Sequence, residues 1–220
     1  MTKRMLLAAT VAALLSACGG GGGSGDTTPP APTTFNMEAA IATSLSSGVS
    51  FSGLQTTVNG NVLEFAFSYA PTTDGLFLGD NYKRSIFSSS IKVNGVVSGT
   101  GASSNYFTLN PVRVIGTTTS DGFTTKNAYD GTMPTNATVG QSGPYYHTNV
   151  SFTGDTAVVA QGTTTWSLEA DTASTAWACL MTVDSTSPDW EKDCYRIDAA
   201  GNISGAKIVL FLQGQTVTFQ

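Results

Sequence analysis

Residues 35–220 read as an all-β domain, an antiparallel β-sandwich or barrel carrying one short N-terminal helix, on three observations. First, Asn59-Gly60 and Asn94-Gly95 each lie between segments of alternating apolar and polar residues, and Asn-Gly tolerates the positive φ of a tight hairpin turn. Second, segments of this kind recur about every ten residues with Gly, Asp and Asn between them, which argues for antiparallel pairing and against parallel strands with crossover helices. Third, only 11% of the chain is charged while Gly, Ser and Thr abound, a balance suited to strands whose solvent faces carry hydroxyl groups.

The helix is predicted over Asn36 to Ser47. Asn36 is a capping residue, Glu38 falls in the electropositive first turn, Met37, Ile41 and Leu45 recur every fourth position, and Gly48 is a suitable stop. Such a helix would cover one end or edge of the sheet. Phe51–Val58 and Asn61–Ala70 then form the first hairpin, with Leu63, Phe65, Phe67 and Tyr69 on one face. Ser85–Val93 and Val96–Gly99 form the second. Tyr106–Gly116 continues the pattern, and Pro111, which has no N–H for a ladder, points to an edge strand or bulge there. The stretch 117–139 is poor in apolar residues and reads as a long connection, so the domain is expected as one lobe or as two meeting within 117–139.

The last third is the most regularly patterned. Tyr145–Phe152, Ala157–Gln161, Thr163–Ala170, Ala176–Val183, Cys194–Asp198, Ala206–Gln213 and Thr216–Phe219 read as strands. Trp166 and Leu168, and likewise Trp177, Cys179, Met181 and Val183, are expected to face inward. Lys207 to Leu212 is apolar on both faces, as in a central strand.

Candidate functional residues gather near the end of the chain. Cys179 and Cys194 form an even pair in an exported chain and are expected as one structural disulfide, without the Cys-x-x-Cys spacing of a redox motif. The loop between them holds Asp184, Asp189, Glu191 and Asp193. These are weak calcium candidates, because the ligand order of a calcium-binding helix-loop-helix is missing, and no other metal or cofactor is expected. Trp190 within that loop, together with Tyr145 and Tyr146, is a candidate ligand contact, since an aromatic ring on a rigid loop can stack on a sugar or anchor a partner.

Catalytic patterns are sparse. No Gly-x-Ser-x-Gly elbow occurs, and His147 is the only histidine. Ser89-Ser90-Ile91-Lys92 matches Ser-x-x-Lys only formally, because it lies in a hairpin strand. Carboxylates such as Glu38, Glu64, Glu169 and Glu191 could pair for glycoside hydrolysis only if the fold brings them together. The net charge of −5 becomes more negative without Lys3 and Arg4, and an acidic domain repels phosphate backbones, so nucleic acid is not an expected partner.

The first 34 residues carry the address. Lys3 and Arg4 precede the apolar run Met5 to Leu15, too short for the roughly 20 residues of a membrane-spanning helix, and small residues close it. Leu15-Ser16-Ala17-Cys18 resembles the lipobox of bacterial lipoproteins, which implies cleavage after residue 17 and a lipid on Cys18. Several acyl chains on one cysteine make a stable membrane anchor. Residues 18–34 then form a flexible tether, with Gly19 to Gly23 unbroken and a Thr/Pro stretch after them. Gly19 in place of aspartate favours the outer membrane, and a cysteine followed by a glycine run is similar to the start of surface-exposed neisserial lipoproteins. The expected function is a lipid-anchored envelope module that binds an unidentified protein or glycan without catalysis. A carbohydrate- or small-ligand-binding β domain is the alternative, and a hydrolase with paired carboxylates a second one.

Overall fold

The computed structural model describes residues 34–185, 187–212 and 214–220; the expected signal peptide, Cys18 and the glycine run lie outside them. One helix, α1 (Met37–Ser46), precedes the strands β1 (Ser50–Val58), β2 (Asn61–Tyr69), β3 (Thr73–Phe77), β4 (Asp80–Val93), β5 (Val96–Leu109), β6 (Val112–Thr119) and β7 (Phe123–Tyr129). They continue as β8 (Ser142–Phe152), β9 (Ala160–Ala170), β10 (Ala176–Asp184), β11 (Trp190–Ile197), β12 (Ile203–Leu212) and β13 (Gln215–Phe219).

Apart from β3, each strand pairs with the next in sequence, and every pairing is antiparallel. β3 continues the line of β2 along β4, taking Asp80 to Arg84 while β2 takes Phe87 to Val93. The path thus holds an even number of strands, so its two edges also run antiparallel. They meet where Gln55 and Gln220 exchange backbone hydrogen bonds of 3.2 and 3.4 Å. The result is a nearly closed, barrel-like antiparallel sheet.

Local chemistry explains the elements that the sequence foretold. Asn59 and Gly60, and again Asn94 and Gly95, have positive φ, so both hairpins turn as their sequences require. Asn36 caps α1, its side chain accepting from the Ala39 N–H at 2.9 Å, and Glu38 of the first turn accepts from the Val112 N–H at 3.2 Å. α1 packs against β2, β6, β11 and β12, strands from opposite sides of the sheet, and buries Met37, Ile41 and Leu45. It therefore fills one end of the interior.

Several expectations need correction. Asn110-Pro111 is neither bulge nor edge strand; it is the turn between β5 and β6. The stretch 117–139 is no bare connection, since β7 lies within it and bonds to both β6 and β8. β10 shows the opposite face to the one expected: Ala176, Ala178 and Leu180 point in, while Trp177 and Cys179 cluster with Cys194 apart from the main core. Arg196 and Lys207 lie over the Trp177 ring at 4.7 and 4.5 Å. Apolar residues occupy both faces of this strand, so size suggested that the indole goes inside. The interior near α1 is crowded, however, and its places are held by Ala176, Ala178 and Ala206.

Candidate functional site

Beyond α1 the interior is not filled. A chamber of about 360 Å³ has a floor of Ile41, Ser44 and Leu45 from α1 and walls from β2 and β5 to β11. Its floor residues Ser44 and Leu45 are buried, whereas Gln161, Thr182 and Asp184 at the opposite end are exposed, so it opens away from the helix. The wall from β5 to β10 is largely hydroxyl and amide: Asn105, Thr117, Thr125, Asn127, Thr148 and Gln161. A second chamber of about 170 Å³ adjoins it through the shared residues Tyr69, Asn105, Asp193 and Tyr195, and is walled by Phe65, Phe67 and Phe87.

The acidic stretch of the sequence contributes to both chambers. Trp190 opens β11, and the period of two along that strand sends Glu191, Asp193 and Tyr195 inward and Trp190, Lys192, Cys194 and Arg196 outward. Lys192 bonds Glu169 on the outer face at 2.8 Å, and Arg196 pairs with Asp171 at 2.9 Å. Glu191 and Asp193 instead hydrogen-bond each other, which requires a proton between them. Burial raises the pKa of Asp193 well above the usual carboxylate range, and the Glu191 charge raises it further. Burial raises Glu191 as well. Of the two, Asp193 is half-buried and lines both chambers, whereas Glu191 is exposed and lines the smaller one.

Three tyrosines share this field. Burial and then Tyr195 and Asp193 push the Tyr69 hydroxyl up. Burial and Asp193 do the same to Tyr195, which bonds Tyr69 and Ser44. Burial raises Tyr146 against the lowering influence of its bond to Thr164. At neutral pH all three are neutral donors aimed into a negative interior.

Asp193 thus makes stability depend on pH in a definite sense. Its pKa is higher folded than unfolded, so between those values the folded state binds more protons and stability falls as pH rises. Asp193→Asn is expected to be more stable than the parent at pH 7–8 by about 1 kcal/mol or more, because it removes a buried charge without losing the side-chain shape. The gap should close as pH falls toward the ordinary carboxylate value of about 4. Urea midpoints across a pH series measure it; a gap that does not change with pH would contradict this account of Asp193.

The other candidates fall as follows. Tyr146 lines the chamber, but Tyr145 is core, its hydroxyl donating to the Val112 carbonyl at 3.1 Å. A register shift between Pro144 and Tyr146 turns both successive rings to the interior, where they pack 4.9 Å apart. Trp190 is neither at a loop tip nor on the disulfide; it is half-buried on the outer face, stacked on Phe211 at 5.6 Å and 5°. Cys179 and Cys194 are directly opposed on β10 and β11 and form the disulfide, with Cα atoms 4.0 Å apart. His147 pairs with Asp130 at 2.7 Å on the outside.

Of the four calcium candidates, Asp184 lines the chamber rim and Asp189 donates its backbone N–H to Ser187 Oγ at 3.1 Å. Glu191 and Asp193 are bound to each other. The metal-sized cluster among the described residues is a different one, Glu169 with Cys179 and Cys194, and its sulfurs are joined in the disulfide. The chamber wall itself went unread in the sequence. Its one available signal was the alternation of Ile197, Tyr195, Asp193 and Glu191, followed backward from the apolar end of β11. No protein-family profile, curated protein or solved structure matches the chain.

Proposed function

We propose that this is a lipid-anchored lipoprotein of the cell envelope, held at the outer membrane through Cys18, whose barrel-like domain binds a small polar ligand in its interior. The observation that carries the ligand reading is the larger chamber. At about 360 Å³ it falls within the roughly 300–1,000 Å³ usual for small-molecule sites, with one closed end, one open end and convergent hydroxyl and amide groups. Binding is favoured over hydrolysis by the carboxyl geometry. Glycosidases hold their two carboxyls about 5 Å or more apart around the bond they cleave, whereas Glu191 and Asp193 bond each other directly. Glu38 is bound to the Val112 N–H, Glu64 to Lys92 and Glu169 to Lys192. The outer face carries these last two ion pairs, which suits a surface in water and not one in lipid.

Ligand-induced thermal stabilisation by a panel of sugars and polyols tests the reading. A ligand at a hundred times its Kd should stabilise by about 2.7 kcal/mol. Thr125→Phe, which fills the chamber from β7, should abolish the shift without unfolding the domain. A panel without any shift, or shifts that survive Thr125→Phe, would count against interior binding. The anchor is tested separately. Cys18→Ala is expected to move the protein from the membrane fraction to the soluble one, because the acyl chains supply the strong apolar attachment. A variant that stays membrane-bound would refute it.

A further inference from the structure

Two chambers meet at the carboxyl pair, and their walls differ in kind. The larger is lined by neutral hydrogen-bonding groups, the smaller by the rings of Phe65, Phe67, Tyr69, Phe87 and Tyr195. These rings form one connected array: Phe67 lies 6.0 Å from Phe65 and from Phe87 and 6.4 Å from Tyr69 and Tyr195, and Tyr69 is 5.1 Å from Phe87. An aromatic array of this sort is ordinary core until a charge is placed against it. Here Glu191 and Asp193 project into the same space.

Neither chamber has a lysine, arginine or histidine among its lining residues. The cations of β11 and β12 are engaged outside, Lys192 and Lys207 with Glu169 and Arg196 with Asp171, while Arg113 lies over the Tyr129 ring at 5.0 Å. A partly desolvated acidic pair at a chamber wall, with no basic partner among the described residues, is costly to the fold. Its cost is offset when a cation enters, and ring faces add their own attraction for a cation freed of water. Neutral sugars would leave that imbalance in place. A simple alkali ion would use the carboxyls but not the rings.

Resting on the reading of the interior as a ligand site, we propose that the ligand is an organic cation with a methylated ammonium head, seated between the Glu191–Asp193 pair and the Phe65, Phe67, Tyr69, Phe87, Tyr195 wall. The polar remainder of the ligand extends into the larger chamber toward Gln161 and Thr182. Entry of the head favours the ionised form of both carboxyls, so the proton that they share is released to solvent. The remaining ionisable groups that line the chambers are Tyr69, Tyr146 and Tyr195, which stay neutral, and Asp184 at the rim.

The test is isothermal titration of the purified protein at pH 7.5 with choline and with 3,3-dimethylbutan-1-ol, which has the same shape without the charge. Choline is expected to bind more tightly by about tenfold or more, the scale of a desolvated cation–aromatic contact. The double variant Glu191→Gln/Asp193→Asn, whose fold is checked by its thermal transition, should lose that preference while keeping the weak affinity for the neutral compound. Phe87→Leu should weaken choline more than the alcohol. Equal binding of the two probes, or choline binding untouched in the double variant, overturns the cation assignment and leaves interior binding standing. Silence from both probes alongside a shift with a sugar does the same. No binding in either panel removes both readings together.

Discussion

Replacing Cys179 and Cys194 together with alanine is expected to lower the stability of the domain by about 3 kcal/mol, as for a bridge closing a loop of about 15 residues. The two cysteines are fifteen positions apart, directly opposed on neighbouring strands, and fully buried under Trp177 and the side chains around it. Opening the bridge gives the unfolded chain more conformations and leaves a small void beneath the indole. Urea or guanidinium midpoints of parent and double variant measure the loss, and a change under 1 kcal/mol would show that the bridge adds little to the ladder beneath it. Ligand binding should survive, because the disulfide lies on the outer face of β10 and β11 while Glu191 and Asp193 project from the inner one. Loss of binding at retained fold would contradict that division of faces.

Gly201→Ala is expected to cost a comparable amount, roughly 2–5 kcal/mol, from the sum of a left-handed backbone and overpacking. Gly201 sits in the turn between β11 and β12 at φ +89°, and an added Cβ would run into the Asn36 carbonyl oxygen and lie 2.9 Å from Ala39 Cβ and 3.0 Å from the Ala40 nitrogen. That turn is rigid. Asp198 accepts from the backbone of Ala200 and Asn202 at 3.0 and 2.9 Å, and Ala199 accepts from the Asn36 N–H at 3.1 Å. The yielding part would therefore be α1, whose Ile41, Ser44 and Leu45 floor the larger chamber. Gly154→Ala is the matched control, since Gly154 has φ +87° and nothing within 4 Å of an added Cβ, so it should cost about 1–2 kcal/mol for the backbone alone. Equal losses at the two glycines would mean that α1 is not held by this contact.

The legible parts of the fold are those set by neighbours in sequence. Asn59-Gly60 and Asn94-Gly95 dictate their turns, Asn36 and Glu38 begin α1, and Lys207 to Leu212 belongs to a strand with partners on both sides, β11 and β13. β7 was missed for a reason tied to the site. Its inward residues Thr125 and Asn127 line a polar chamber, so the strand lacks the apolar alternation by which strands are recognised. β5 likewise presents Ser103 and Asn105, and not apolar residues, to the chambers. A polar wall around a chamber is harder to read than an apolar wall that fills a core.

What the residues alone determined was the class of fold, the helix with its cap, the two tight hairpins, the pairing of Cys179 with Cys194, and the acidity of the stretch after Asp184. Each follows from local chemistry or from counting. Only the tertiary structure decided which face of β10 turns inward, and that Glu191 and Asp193 line the chambers of the interior. Both depend on curling the sheet until its edges meet at Gln55 and Gln220 and on α1 taking one end of the space. A period of two divides a strand into two faces, but it carries no sign; the sign comes from what the opposite wall leaves room for.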